Sequence, residues 1–239
     1  MGVKTDALKD IGALLRLENS PVAIRLDSEG AGPSGMGEMM MMMMEERFTG
    51  YAPASCTFWR LGIDSSFYTV EDDHRCSIGK VTHGLREVGE VLSNEDVMLL
   101  TSIGWIGRDE IARLPRLPRS KVIHYTPVDG LSEEDASRLD LLVFFCNAAQ
   151  AMLVVDAAEH AGIEYRVRSK PTCAILAEAY SREGVAIGLG CTPSRLRTPY
   201  DESSLFVAIH SNVVERLVEH LRPIVKAEEF LHANKTMLV

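Results

Sequence analysis

Five cysteines carry most of the chemistry that this sequence offers: Cys56, Cys76, Cys146, Cys173 and Cys191. A cysteine kept only for packing usually stands in an apolar run, because it behaves as a small hydrophobe. Only Cys146, in Leu-Leu-Val-Phe-Phe-Cys-Asn, has such a context. The other four stand in polar or turn-rich contexts and are therefore candidates for binding a metal or a cluster, or for redox chemistry.

Cys76 follows Cys56 by twenty residues, and His74 stands two residues before Cys76. If the loop between them folds back, these three residues can supply three ligands to one site. Cys173 or Cys191 could supply a fourth ligand. Four thiolates suit a [4Fe–4S] cluster or zinc. The sequence has no Cys-x-x-Cys pair and matches no standard ferredoxin or zinc-finger spacing. Three interpretations stay open: a metal or cluster, a thiol–disulfide pair, and separate reduced thiols.

Two properties of the chain favour an iron–sulfur cluster over zinc. Structural zinc usually stabilises small domains that lack a core, whereas 239 residues, 46% of them hydrophobic, are enough to form one. The cysteines are also scattered along the chain and close to predicted helix starts, where backbone N–H groups can bond cluster sulfurs. Zinc is the alternative cofactor.

Further polar residues are candidates for binding a cofactor or an anion. Asn147 precedes a predicted helix, and Asn-x-x-Gln with Gln150 is a capping-box pattern at a helix start, where negative charge is favoured. Arg60, Arg195 and Arg197 lie near cysteines in the sequence and could bind a carboxylate or phosphate. The alternatives are a plain strand-to-helix turn and ordinary surface salt bridges.

Charge and hydropathy exclude some classes of protein. The net charge of −9 argues against a general nucleic-acid binder, because phosphate contacts need clustered lysines and arginines. No signal-peptide pattern is visible, and the longest nearly uncharged stretch, 141–155, is shorter than the roughly 18–20 apolar residues that span a bilayer. We therefore expect a cytoplasmic protein without membrane contact. In a reducing cytosol, cysteines are more often ligands or redox groups than disulfides.

Hydrophobic periodicity predicts an α/β protein, a single domain over residues 1–239 whose mixed sheet is flanked by helices and followed by a long C-terminal helix. Helices are predicted at 4–17, 77–91, 107–114, 147–161, 172–182 and 212–232. Strands are predicted at 22–26, 66–70, 98–103, 122–125, 141–146, 165–168, 185–189 and 205–209, with 51–65 irregular. The apolar segment 141–146 is typical of a buried parallel strand. Prolines at 115 and 118 mark 115–120 as a weak subdivision.

Six consecutive methionines, Met39 to Met44, form the most biased segment of the chain. Methionine is a good helix former, so a helix is predicted here. Because the run is apolar on every side, we expect it to pack in the core or against a partner. Binding of soft Cu(I) by the thioethers is the weaker alternative, since copper sites usually use spaced methionines.

Five segments, in this order, resemble the bacterial and archaeal family called domain of unknown function 169. They are Asn-Ser-Pro-Val-Ala-Ile-Arg-Leu, Cys-Thr-Phe-Trp-Arg, Asp-His-Arg-Cys-Ser-Ile-Gly-Lys, Phe-Cys-Asn-Ala-Ala-Gln-Ala-Met and Gly-Cys-Thr-Pro-Ser-Arg. The resemblance covers roughly residues 17–209 and implies a single-domain cytosolic protein with cysteines at 56, 76, 173 and 191. It implies no particular reaction. Ala148 stands where the family usually has proline, and the methionine run is not a family feature.

The sequence therefore predicts a cysteine-ligated metalloprotein. We expect an iron–sulfur cluster with a redox or electron-transfer role, held by Cys56, Cys76, Cys173 and Cys191 with His74 assisting. A non-enzymatic protein that binds a small ligand or metal, and a thiol-redox regulator, are the alternatives. Whether the protein is itself an oxidoreductase or an accessory to one stays open. The expected partner is a redox protein or a small molecule, and a homo-oligomer is compatible with the long C-terminal helix.

Overall fold

The computed structural model describes residues 5–30, 53–198 and 200–234. The methionine run, with its predicted helix, lies outside these residues. Within them the chain forms one mixed β-sheet with helices on both faces, followed by a long C-terminal helix. This arrangement confirms the predicted α/β fold class.

Seven strands form this sheet in the order β2-β3-β1-β4-β7-β6-β5. Their bounds are β1 Val22–Asp27, β2 Phe67–Val70, β3 Val122–Pro127, β4 Leu141–Cys146, β5 Tyr165–Arg168, β6 Val185–Gly188 and β7 Leu205–His210. The β5–β6 pair is parallel and the other neighbouring strands are antiparallel. Strands from both sides of residues 115–120 join the same sheet.

Eleven α-helices accompany the sheet in the described residues. They are α1 Thr5–Leu15, α2 Ser55–Leu61, α3 Ser77–Thr82, α4 Val88–Val91, α5 Glu95–Ser102, α6 Arg108–Ala112, α7 Glu133–Ser137, α8 Ala148–His160, α9 Ile175–Arg182, α10 Thr192–Arg197 and α11 Val214–Ala233. None of the described helices is both long enough and apolar enough to cross a membrane.

The two faces of the sheet are covered by different helices. Helices α1, α8 and α11 bury one face through side chains such as Leu8, Val154 and Leu217. Helices α2 and α9 bury the other face, where Phe58 and Trp59 are fully buried. Each fully buried side chain of this size stabilises the fold by about 1.5–3 kcal/mol, so both layers are firmly held on the sheet.

A third, smaller apolar cluster lies beside the second face. It is formed by the short helices α3 to α6 together with Cys173 and Ala174, which stand just before α9. Helix α3 ends near Gly84, whose φ of +67° suits glycine. A Cβ there would overlap the carbonyl oxygen of Pro118. The prediction of a single helix at 77–91 is therefore wrong, because this turn separates α3 from α4.

Three other local predictions are corrected by the structure. The strand predicted at 98–103 is part of helix α5, because a short apolar run has no periodicity that separates strand from helix. The segment predicted as irregular contains helix α2. Strand β4 is antiparallel to both of its neighbours, β1 and β7. Its apolar sequence reflects burial on both faces rather than a parallel direction.

Candidate functional site

Four of the five cysteines line one cavity beside helix α2. Cys56, Cys76, Cys173 and Cys191 come from segments spread over 136 residues, counted from 56 to 191, and all four contribute to its wall. The rest of the wall is mostly apolar and includes Ala54, Ile78, Leu100, Trp105, Pro171 and Pro193. The cavity volume is about 30 Å³, which is room for two or three buried waters at roughly 10–15 Å³ each. The four candidate ligand cysteines thus share one site.

Each of these four cysteines stands at the start of a helical segment. Cys56 is the second residue of α2, and Cys76 and Cys191 are the N-cap residues of α3 and α10. Cys173 lies in the 3₁₀ turn Thr172–Ala174 that leads directly into α9. Backbone N–H groups in a first helical turn have no partner within the helix. Several of these N–H groups are paired here: Ser77 donates to Asp96 Oδ2 at 2.9 Å and Cys191 to Thr172 Oγ1 at 2.6 Å.

Hydrogen-bond donors contact two of the four sulfurs. The Thr198 hydroxyl donates to Cys56 Sγ at 3.4 Å. The Cys76 sulfur accepts from the backbone N–H of Gly79. Thr82 interacts with the Cys173 thiol as an acceptor, because its own proton is donated to the Gly79 carbonyl oxygen at 3.2 Å. Such donors stabilise negative charge on sulfur, whether it is a thiolate or a metal-bound thiolate.

Gly79 is the residue that lets helix α3 approach the cavity. A Cβ at this position would lie 2.8 Å from Ser55 Oγ, 3.4 Å from Cys76 Cβ and 3.6 Å from Cys76 Sγ. Any larger residue would push α3 away from the start of α2. The glycine in Cys-Ser-Ile-Gly therefore has a steric function at the site.

Among the described residues that line this cavity, Arg197 is the only cation. Its guanidinium is partly buried and makes a hydrogen bond with the Cys76 sulfur. Within the described residues no carboxylate lies within ion-pair distance of it, although Asp96 contributes at longer range. A positive charge facing apolar groups and sulfurs can compensate negative charge that develops on the sulfurs.

Burial controls the protonation of the cavity thiols. It raises the pKa of Cys56 to about 12 and also raises the pKa of Cys76 and Cys173. All five cysteines are free in the structure. These three thiols are therefore protonated at neutral pH, and binding a metal through them would release protons.

His74 lies behind the cavity wall rather than in it. Its Nδ1 contacts Ser55 Oγ at 3.2 Å and its Nε2 contacts Thr69 Oγ1 at 3.0 Å. Burial lowers its pKa well below the ordinary value, so the ring is neutral. Both ring nitrogens are engaged, and we find that His74 positions Ser55, the neighbour of Cys56, instead of joining the four cysteines. His83 is also buried there, stacked on Trp59.

Two of the three arginines predicted to bind a cofactor or anion, Arg60 and Arg195, also lie outside the cavity lining. Arg60 makes an i,i+4 ion pair with Asp64 at 3.5 Å. Arg195 holds loops together by donating to the carbonyl oxygens of Leu189, Gly190, Asp201 and Ser204. Arg197 faces the cavity instead, two residues further along α10.

Asn147 and Cys146 belong to a different part of the molecule. Asn147 accepts from the Gln150 N–H at 2.9 Å and Gln150 bonds back, so the predicted capping box is present. The residues border a polar cleft of about 440 Å³ that is separate from the cysteine cavity. Cys146 is buried in the other core layer, and burial raises its pKa to about 12. Its prediction as a packing residue is confirmed.

The cavity sulfurs are not gathered around one point. In the part of the chain that the structure describes, no three His, Cys, Asp or Glu side chains are close enough together to hold a single metal ion. A tetrahedral zinc site would need all its sulfurs at about 2.3 Å from one centre. The described residues therefore do not form a preformed site for a single ion.

The fold and the site together define a class of protein: a single-sheet α/β protein with a buried cavity walled by four cysteines and one arginine. The chain belongs to the family called domain of unknown function 169, described as uncharacterised ArCR, whose profile matches residues 10–220. The resemblance read from the sequence segments is thereby confirmed. No curated protein and no solved structure matches the chain significantly.

Proposed function

We propose that Cys56, Cys76, Cys173 and Cys191 bind a [4Fe–4S] cluster and that the protein acts in electron transfer or reduction. The observation that carries this proposal is the convergence of four cysteines from four separate segments on one apolar cavity. Such a set is the usual ligand set of a cubane cluster, which supplies one-electron redox chemistry when bound.

A cluster spaces its ligands farther apart than a single ion does, because each thiolate binds a different iron. Four cysteines that line one cavity without forming a single-ion site are therefore compatible with a cluster. Structural zinc is also less needed, because the three apolar clusters already stabilise the fold. The free volume is smaller than a cluster, so loading requires the cysteine-bearing turns to move apart. All four cysteines stand in or next to turns.

The charge of the surroundings agrees with an anionic group. A [4Fe–4S] core of charge +2 with four thiolates carries a net charge of about −2. Arg197 and the donors from Gly79 and Thr198 can offset this charge. A thiol-redox regulator fits less well, because reactive cysteines usually have a lowered pKa, whereas burial raises it here.

Anaerobic purification with analysis of iron and acid-labile sulfide tests the proposal. We expect a brown protein with about four irons and four sulfides per chain. Cys56→Ala should lose them. Cys146→Ala is the matched control, because both cysteines are 6% exposed and both have a pKa raised to about 12 by burial.

Two results would contradict the proposal. A colourless protein with one zinc per chain would indicate a structural metal instead. Equal iron content in the Cys56 and Cys146 variants would show that the cavity is not the site. Circular dichroism of both variants checks that each one is folded.

A further inference from the structure

A basic groove runs along the free edge of the sheet at β5. In the described residues no strand pairs with the outer side of β5. The groove has a volume of about 460 Å³ and lies between this strand and helix α9. Its four cations, called the basic edge below, are Arg166, Arg168, Lys170 and Arg182.

The basic edge carries excess positive charge in an acidic protein. Glu178 bonds Arg168 at 2.6 Å and Arg182 at 2.8 Å, and Glu164 lies 3.8 Å from Arg166. Four cations thus face two carboxylates, although the chain as a whole has a net charge of −9. A local field of this sign attracts acidic partners and raises their rate of association.

The basic edge adjoins the wall of the cysteine cavity. Lys170 donates to the carbonyl oxygen of Trp105, and its ammonium lies 5.4 Å from the centre of the indole ring. Trp105 lines the cavity, as does Pro171, the residue after Lys170. A partner bound at this edge would therefore lie next to the cavity wall.

Exposed apolar side chains border the same region. Val167 on β5 is 56% exposed and Leu189, whose N–H bonds the Arg168 carbonyl, is 42% exposed. Beyond Trp105, Leu99 and Ile103 are 60% and 65% exposed. Apolar contacts bordered by charge are typical of protein interfaces, whereas a surface for nucleic acid would be dominated by cations.

We propose that the basic edge docks a small acidic one-electron carrier protein that exchanges electrons with the cysteine site. This inference rests on the proposed function. The reduced carrier loses one electron and the cysteine-bound group gains it, with no bond made or broken and no proton transferred. Complexes of this kind have small interfaces and are short-lived. Because attraction between exposed charges holds them together, their affinity falls as the salt concentration rises.

Binding and electron transfer to an acidic plant-type [2Fe–2S] ferredoxin, used as the probe, test the proposal. Calorimetry with oxidised ferredoxin measures binding, and stopped-flow mixing with reduced ferredoxin measures the rate. Arg166→Glu should weaken binding and slow transfer about five- to tenfold at low salt, with the difference shrinking at high salt. Arg138→Glu is the matched control: it changes the charge equally, its side chain is 60% exposed against 56% for Arg166, and it also pairs with one glutamate.

The outcomes separate the two proposals. If the wild-type protein contains iron but the two variants bind ferredoxin equally, or binding is absent at low salt, the docking proposal is overturned and the cluster is retained. If a 20-base-pair DNA duplex binds more tightly than ferredoxin and responds to Arg166→Glu, the edge is a nucleic-acid surface instead. If the wild-type protein contains no iron, the proposed function fails and the electron route fails with it.

Discussion

If the proposed [4Fe–4S] cluster is bound, replacing Arg197 by glutamine should lower its reduction potential. Two unit charges at 4 Å interact by about 4 kcal/mol at an effective dielectric constant of 20. The electron added on reduction spreads over the cluster and lies farther from the guanidinium, which about halves this energy. Arg197 is only partly buried, so solvent reduces it further. The result is on the order of 1–2 kcal/mol, or roughly 40–90 mV for one electron.

A redox titration followed by electron paramagnetic resonance measures this shift in anaerobically purified protein. Arg197→Lys should retain most of the potential, because it keeps the charge. Arg60→Gln is a control for the loss of a nearby arginine, since Arg60 pairs with Asp64 and does not line the cavity. Thermal unfolding of each variant separates a change of potential from a loss of structure.

The reasoning would be refuted by an iron-loaded Arg197→Gln protein whose potential equals that of the wild type. The same holds if Arg60→Gln lowers the potential as much, because the effect would then follow from overall charge. In either case the guanidinium would not face the redox group.

Two further predictions concern packing and buried charge. Gly79→Ala should reduce stability by about 2 kcal/mol, or roughly 4–8 °C in Tm, and reduce bound iron, because the new Cβ would lie 2.8 Å from Ser55 Oγ. Gly89→Ala, where nothing lies within 4 Å, should cost nothing; equal effects in the two variants would contradict the steric argument. For Glu178, burial acts to raise the pKa, but its two arginine partners outweigh burial and lower it. Its stabilisation is therefore present above pH 4.5, the ordinary glutamate value, and is lost as pH falls through the lowered pKa. Urea unfolding should show Glu178→Gln less stable by roughly 2–3 kcal/mol at pH 7, with the difference shrinking as the pH falls below 4.5. A difference that stays constant with pH would contradict this.

Local sequence context was enough to separate the cysteines into two groups. Cys146 follows an apolar strand and is buried in a core layer, as its context predicts. The other four stand at turns before helices, and the fold brings them to one cavity. The strands were also largely predictable, because short runs rich in valine, isoleucine and aromatic residues between turn signals indicate strands, whereas the run at 98–103, with methionine and two leucines, is helical.

Side-chain direction could not be predicted in the same way. Arg195 and Arg197 are two residues apart on α10, and residues at that spacing face different sides of a helix. Which of them faces the cavity depends on the rotation of α10 on the sheet, which spacing alone does not determine. The sequence predicts His74 as a ligand, because it stands two residues before Cys76. Its ring instead fits between two buried hydroxyl groups.

The order of the four cysteines along the chain affects how the site can be filled during synthesis. Cys56 and Cys76 emerge from the ribosome first, and Cys191 follows Cys76 by 115 residues. At 5–20 residues per second this interval lasts about 6–23 s. Any group that needs all four thiols can therefore be inserted only after β6 and the start of α10 have been made. A chain that is cut or stalled before Cys191 would retain the early thiols but not the site, so a bound group would show that synthesis has passed Cys191.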